Sequence, residues 1–566
     1  MMNTSHRYFS AILLFSFFLG SCAKLDLVPP SEGSSENWYT DQTEVEMSLN
    51  DLYRTYVWNL EENFQTDRWT DDWAQRLVVY DYAAAAVTSE WSDSETTWLN
   101  TYKGISRANR IIESLDRVRE SLPEETVNRL RGEAAFFRAN FYGRLITLYG
   151  DVPFYKETIS IDEAFALGRT DKETIRQEVY ADFDYAIENL PLENTASDVS
   201  RVSKGAAIAM KARTALWLSD WETVKKETKR LIDMDVYALH PDYESYFKSK
   251  NIEKETIFSI PRSRDLNLVW SSQNFMPRTL GGNAVAQPSW ELLSIYPATD
   301  GLLIDESPLF NPQKPFENRD PRLAATIVAF GSEFLGVVYN PDPRAVKVLN
   351  TSTGKMVENK DTKGYTQHAS YNGLQLRKYA DQNWIAYQAD NPIIIMRYAD
   401  VLLMYAEAKI ELDEIDQSVY DAMNEVRARA YQTDKNSVSD YPAITVRDRD
   451  ALRKILKIER RIEFPWEHRR FWDLHRWREF DKALARPYYG LLPITEMRSK
   501  LIETDLWFWP ITPQIDEYGY PNLDELYEKG YSAKLGDRKF DEKQYLWPIP
   551  NKEILINKNL KQNPGY

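Results

Sequence analysis

From Glu459 to Trp477 the chain reads Glu-Arg-Arg-Ile-Glu-Phe-Pro-Trp-Glu-His-Arg-Arg-Phe-Trp-Asp-Leu-His-Arg-Trp, and any fold must bury these rings without stranding the charges between them. Leu452, Ile455, Leu456 and Ile462 run into it at helical spacing. Pro465 interrupts that run, so a second helix is expected near Glu467 with Phe471, Leu474 and Trp477 turned inward. Glu459, Glu463 and Glu467 lie four apart and Arg470, Asp473 and Arg476 three apart, which predicts two facing helix surfaces locked by carboxylates and guanidiniums. The same carboxylates, with His468 and His475, also read as an acid–base site. A site needs an open pocket, whereas Trp466, Phe471, Trp472 and Trp477 point to a packed structural clamp.

The amino terminus reads as a processing segment. His6 and Arg7 precede an apolar run from Ala11 to Leu19, and Leu19-Gly20-Ser21-Cys22 closes it. That run is too short for a bilayer, which needs about 20 apolar residues. Cys22 is the only cysteine, so it has no internal disulfide partner, and its place after small residues predicts cleavage after residue 21 and lipidation of Cys22. The alternative is an ordinary signal peptide with an incidental cysteine. Residues 22–37, with Pro29-Pro30-Ser31-Glu32-Gly33-Ser34-Ser35, are expected to form a lipidated tether reaching at most roughly 50 Å. Mean hydropathy is −0.54 and no later run approaches spanning length, so the chain is expected to be anchored to a membrane without crossing it. A formal charge of −16 argues against a nucleic-acid partner, which needs a basic face.

Helical patterns dominate from Gln42 to Met234. Ser121 with Glu124 and Thr170 with Glu173 are expected capping boxes ahead of helices over Leu130–Tyr149 and Ile175–Leu190. Small residues from Ala206 to Leu216, a Ser219-Asp220 turn and a helix over Trp221–Ile232 resemble a tetratricopeptide hairpin, and Tyr398–Ala408 followed by Val419–Ala430 repeats the pattern. From residue 241 to 392 the texture is loop-rich, with short strands expected at Thr256–Ile260 and Ala325–Val328, and residues 485–542 form a second loop-rich insertion.

The segment at 459–477 resembles the carboxy-terminal signature of the SusD/RagB family of outer-membrane lipoproteins. Glu459, Arg460, Arg461, Glu463, Glu467, Arg470, Asp473, Leu474, Arg476 and Trp477 match it, whereas His468 stands where the family usually has glycine. Arg131-Gly132-Glu133-Ala134, Leu148-Tyr149-Gly150-Asp151-Val152-Pro153, Asn318-Arg319-Asp320-Pro321-Arg322 and the terminal Gln562-Asn563-Pro564-Gly565-Tyr566 fit the same family. The resemblance implies a mainly α, SusD-like fold in a single domain over 38–566. Degenerate tetratricopeptide-like helices (38–240 and 393–484) would form its scaffold and the two insertions its ligand side. It also implies capture of an oligosaccharide at the outer membrane and its delivery to a SusC-like TonB-dependent transporter. Relatives linked to peptide uptake leave a RagB-type peptide binder open.

No G-x-S-x-G, H-E-x-x-H or strand-borne G-x-G-x-x-G occurs, and Ser352-Thr353-Gly354-Lys355 lacks the leading glycine of a phosphate loop. Five histidines and one cysteine supply no zinc cluster, and neither a metal nor a cofactor is expected. Paired carboxylates would suffice for a surface glycoside hydrolase, which stays as an alternative to a non-enzymatic binder. Aromatic residues make up 13% of the chain, and a flat ring flanked by amides and charges suits the C–H face and hydroxyl belt of a sugar. The candidates in polar surroundings are Trp69, Asp72, Trp73, Arg76, Trp91, Asp93, Trp270, Asn274 and Trp384. Each tryptophan also reads as core, as Trp98, Trp217 and Trp477 do.

Overall fold

A computed structural model describes residues 38–194, 200–365 and 368–566. The expected signal peptide, Cys22 and the tether lie outside the described residues. After α1 (Gln42–Asn50), α2 (Ser92–Val118) and α3 (Glu124–Tyr149) form a long antiparallel pair, followed by α4 (Lys172–Asn189), α5 (Lys204–Trp217) and α6 (Trp221–Asp233), each packed on the one before. Almost every residue of α3 from Gly132 to Tyr149 is buried, because helices cover it on both sides. It ends at Gly150, whose φ of +71° reverses the chain where a β-carbon would be strained.

The helical stack resumes with α7 (Tyr398–Glu411), which packs directly on α6 although more than 160 residues separate them, and continues through α8 (Gln417–Ala430). Strand pairing makes this possible. Where the chain leaves the stack it forms β2 (Thr256–Ile260), and it returns along β8 (Ile393–Arg397), antiparallel to β2 with Thr256 opposite Arg397 and Ile260 opposite Ile393. The intervening residues therefore form an excursion closed at its base. From it, β3 (Ala286–Pro288) pairs with β1 (Trp73–Gln75) of the amino-terminal part, and β4 to β7 (Glu333–Phe334, Val337–Val338, Lys347–Asn350 and Lys355–Glu358) make a four-stranded meander. Ser352-Thr353-Gly354-Lys355 is the exposed turn of its last hairpin. Two apolar clusters result, one inside the helical stack and one beneath the excursion, where Trp290, Trp384, Trp466 and Trp509 are fully buried. Among the described residues no helix is long and apolar enough to cross a membrane.

Three local expectations give way. Neither capping box forms as expected. Ser121 Oγ bonds back to Val118 O at 2.8 Å while α3 starts after Pro123, and α4 is capped by Asp171, which accepts from the Glu173 and Thr174 amides. Asp171 stands nearest the free amides of α4 and caps them, whereas α3 starts after Pro123 with no side-chain cap. Ala325 and Thr326 close a short helix, Arg322–Thr326, and only Ile327 makes a bridge, to Leu376.

α9 (Arg449–Glu463) and α10 (Arg470–Trp477) flank Pro465 as expected, with Phe471 and Leu474 buried and Trp477 half-buried. The charges are buried too, but most partners come from elsewhere. Arg460–Asp473, at 2.9 Å, joins the two helices. Glu463 instead meets Arg322 at 2.9 Å, Arg397 at 2.6 Å and Arg429 at 2.5 Å. Glu459 meets Arg322 and Arg427, and Glu467 meets Arg397 and Lys378. Asp400 holds Arg460 and Arg469, and Glu407 holds Arg476 and the Trp477 indole N–H. The lattice joins α7, α8, α9, α10 and β8 to the excursion, and its carboxylates at Glu459, Glu463 and Glu467 are fully buried.

Candidate ligand-binding face

All five tryptophans that the sequence offered as platforms are core residues. Trp73 stacks on Trp466 at 4.6 Å, and Trp69 and Trp91 pack on Trp547 at 5.6 and 4.7 Å. Trp270 packs on Trp384 at 5.3 Å, and Trp384 Nε1 donates to Asn391 Oδ1 at 3.0 Å. Each indole that looked solvated in sequence meets another ring from a distant segment. Asp72 is equally inaccessible. It bonds Arg461 at 2.7 Å, beside Asp71, which holds Arg461 and Arg470 at 2.8 Å each. Burial alone would raise the Asp71 carboxyl, but the two guanidiniums outweigh it and hold the group down at about 2.

Asp67, also fully buried, makes no ion pair with a lysine or arginine among the described residues. Its Oδ2 accepts the His468 backbone N–H at 3.2 Å and stands 3.3 Å from the ring Nδ1. Burial, and then the Asp72 charge, push this carboxyl up to about 8, while burial drives the His468 ring well below its ordinary value. A folded value above the unfolded one, about 4, means a stabilising contribution that is full below pH ~4 and is lost as pH rises through 8. Asp67→Asn should therefore flatten the fall of the urea midpoint between pH 5 and pH 8, and parallel profiles for variant and wild type would refute the assignment.

Arg76, Asn274 and Asp93 are the sequence candidates that remain at least partly accessible. Asp93 stands apart, accepting from Gln65 Nε2 at 3.0 Å. Arg76 and Asn274 come together: Arg76 Nη2 donates to Asn283 O, and Asn283 Nδ2 donates to Asn274 Oδ1 at 3.2 Å. The Arg76 guanidinium also lies 5.2 Å from the ring of Tyr371, which is half-buried and has Lys363 Nζ 5.1 Å away. Lys363 donates to Leu491 O, and burial pushes its ammonium down to about 8. Leu77 and Val78, beside Arg76, are 63% and 44% exposed, and Leu77 is held at φ +49°. An exposed apolar pair on a strained loop tip is what a contact surface presents.

The face is built by loops clamped to one another. The 274–283 loop is joined to the 359–371 loop by Thr279 N to Asp361 Oδ1 at 3.2 Å and Lys360 N to Thr279 Oγ1 at 3.0 Å. Gly281, at φ +90°, faces the Tyr387 hydroxyl, which would stand 2.7 Å from an added β-carbon. Tyr488 OH donates to Gln75 O at 2.6 Å and steadies the 76–80 loop from below. Sequence reasoning missed Tyr371 and Lys363. Their signal was a tyrosine in a turn-dense Gly/Asn stretch, Tyr371-Asn372-Gly373. The face offers a ring, two cations and amides, but no nucleophile with an adjacent base, and among the described residues no cluster of His, Cys, Asp and Glu suits a metal.

A stack of helical hairpins carrying a loop-built, polar and aromatic face defines a binding scaffold. The chain belongs to the SusD family: the family model matches residues 248–566, and a second model, described as "Starch-binding associating with outer membrane", matches residues 25–216. A curated relative, SusD-like protein P25 of Formosa agariphila, is 27% identical over 454 residues, covering 75% of this chain and 81% of that protein. A SusD-like carbohydrate binding protein from Bacteroides fragilis superposes with a TM-score of 0.76 at 25% identity, covering 92% of this chain and 99% of its own. A laminarin binding SusD-like protein shares the fold with a TM-score of 0.61 at 18% identity, covering 93% and 100%.

Proposed function

We propose that the protein is a lipid-anchored, cell-surface binder that captures an oligosaccharide on the Arg76–Tyr371–Lys363 face and passes it, uncut, to a TonB-dependent outer-membrane transporter. In this reading residues 38–566 act as one domain and the two loop-rich insertions supply its ligand side. The observation that carries it is the half-buried Tyr371 ring, with the Arg76 guanidinium and the Lys363 ammonium 5.2 and 5.1 Å from its centre and with Asn274 and Asn283 alongside. A pyranose lays its C–H face on such a ring while its hydroxyls meet the charged and amide groups. Support comes from the carbohydrate binding named for the Bacteroides fragilis relative and from the outer-membrane association in the family description. The relatives named for carbohydrate and laminarin binding support capture without cleavage.

Calorimetric titration of the soluble chain with plant, algal and host oligosaccharides and a peptide pool tests the reading. Saturable heat from one glycan whose length is unchanged afterwards is the expected result. Heat from peptides alone would move the protein to peptide uptake, and a shortened glycan would make it a hydrolase.

A further inference from the structure

A second surface, away from that face, carries apolar side chains that the fold does not use. Two short helices, Ile161–Ala166 and Asn551–Ile556, are tied together at their carboxy-terminal ends by Asn557 Nδ2 donating to Leu167 O at 2.8 Å and Asn559 Nδ2 to Ala166 O at 3.1 Å. They leave Ile161 72%, Phe165 45%, Leu555 60% and Ile556 55% exposed. Large side chains at such exposure protrude and do not line a cleft. Lys558 and Lys561 beside them are exposed and make no ion pair among the described residues, while Asp162 and Glu163 flank Ile161. Any attraction here is chiefly apolar.

The place of this knob on the molecule says what it faces. A groove of about 1350 Å³ runs from Trp38, the first described residue, past Arg54, Lys103 and Arg110 to Thr158. Thr158 is fixed to α2 by its amide, which donates to Glu113 Oε1, and Ile161 follows three residues later. The chain therefore enters the folded body on the same side as the protruding residues. Fifteen residues lie between Cys22 and Trp38, a span of at most roughly 50 Å.

We propose that Ile161, Phe165, Leu555 and Ile556 rest in the lipid surface that holds the anchor, with Lys558 and Lys561 at its polar boundary. The proposal rests on the anchored reading of Cys22 given above. The acyl chains on Cys22 supply the attachment, and an apolar contact from the body itself adds to it. Such a contact also fixes which side of the body faces outward, something a tether alone does not do.

The chain begun at Ala23, which cannot be acylated, is mixed with vesicles of phosphatidylethanolamine and phosphatidylglycerol and sedimented. It is expected to pellet with them. Phe165→Ser combined with Leu555→Ser, both exposed and so expected to leave the urea midpoint unchanged, should lower the bound fraction about tenfold. Leu77→Ser, equally exposed on the ligand side, should leave it unchanged. Wild-type protein that stays in the supernatant, or a double variant that pellets as wild type does, overturns the proposal. Palmitate labelling of the precursor in cells follows the anchor separately. Label on Cys22 without vesicle binding removes the lipid-facing surface alone, whereas vesicle binding without label removes the anchor and keeps the surface.

Discussion

Arg397→Leu should lower the free energy of unfolding by about 3–5 kcal/mol, enough to leave much of the protein unfolded at 37 °C. The Arg397 side chain is fully buried and meets three carboxylates, Glu255 at 2.7 Å, Glu463 at 2.6 Å and Glu467 at 2.7 Å, as well as the Glu463 carbonyl at 2.9 Å. The Phe464 ring lies 4.5 Å away, so its planar group is held by packing and by charge together. Removing it leaves three acids to share Arg322, Arg429 and Lys378, and Arg397→Lys should fail nearly as badly because an ammonium cannot serve three partners in one plane. Arg478→Ala supplies the contrast. It breaks an exposed pair with Glu542 at 2.8 Å and should cost no more than about 1 kcal/mol. Urea unfolding compares them, and a loss below about 1 kcal/mol for Arg397→Leu would show that the lattice does not stabilise the fold. The lattice also sets the acid limit. Burial raises Glu463, but Arg429, Arg397 and Arg322 outweigh it and bring the group to about 2, so its contribution is present above pH ~4 and disappears as pH falls towards 2.

Tyr371→Ala and Arg76→Ala should each weaken binding of the cognate glycan about 10- to 100-fold, which corresponds to the loss of one ring contact or one charge-assisted hydrogen bond. Tyr371 packs at the edge of the small Ala74–Tyr488–Leu535 cluster and Arg76 is half-buried, so the urea midpoint should fall much less than for a core substitution. Trp384→Phe tests the opposite case. Trp384 is fully buried and its N–H serves Asn391, so the variant should lose stability and keep its affinity in the folded fraction. Calorimetry paired with denaturation separates the two. Unchanged affinity in folded Tyr371→Ala would remove the face from consideration, and lost affinity in folded Trp384→Phe would restore the tryptophan reading.

Legibility followed the range of the interaction. The hairpin of α5 and α6 lies within a residue or two of where its small-residue pattern put it, because both helices and their turn are local. The Pro465 break was legible for the same reason. The lattice was legible as a set of charges but not as a set of pairs, since Arg322, Arg397 and Arg429 reach Glu463 from segments with no sequence relation to it. The tryptophans failed most clearly. Polar neighbours along the chain were read as solvent exposure, yet Asp71 and Asp72 beside Trp73 are themselves buried, neutralised by arginines some 390 residues away. Tyr371 and Lys363 were missed because the cation that makes the ring a candidate, Arg76, lies almost 300 residues earlier in the chain.

Those long spans also govern when the fold can close during synthesis. Asp71 waits for Arg470, the Tyr82 carbonyl for Gln544, the Ser94 hydroxyl for the Pro548 carbonyl, and the α3 exit at Tyr149 for Asn563. A chain made from its amino end pairs buried Glu61 with Arg144 early, but cannot neutralise Asp71 and Asp72 until Arg461 and Arg470 have emerged. Contacts of such high sequence separation slow folding and leave a long-lived intermediate with unpaired charges and bare rings. A carboxy-terminal truncation of even a few dozen residues is therefore a defect of the amino-terminal helices as much as of the end that was removed.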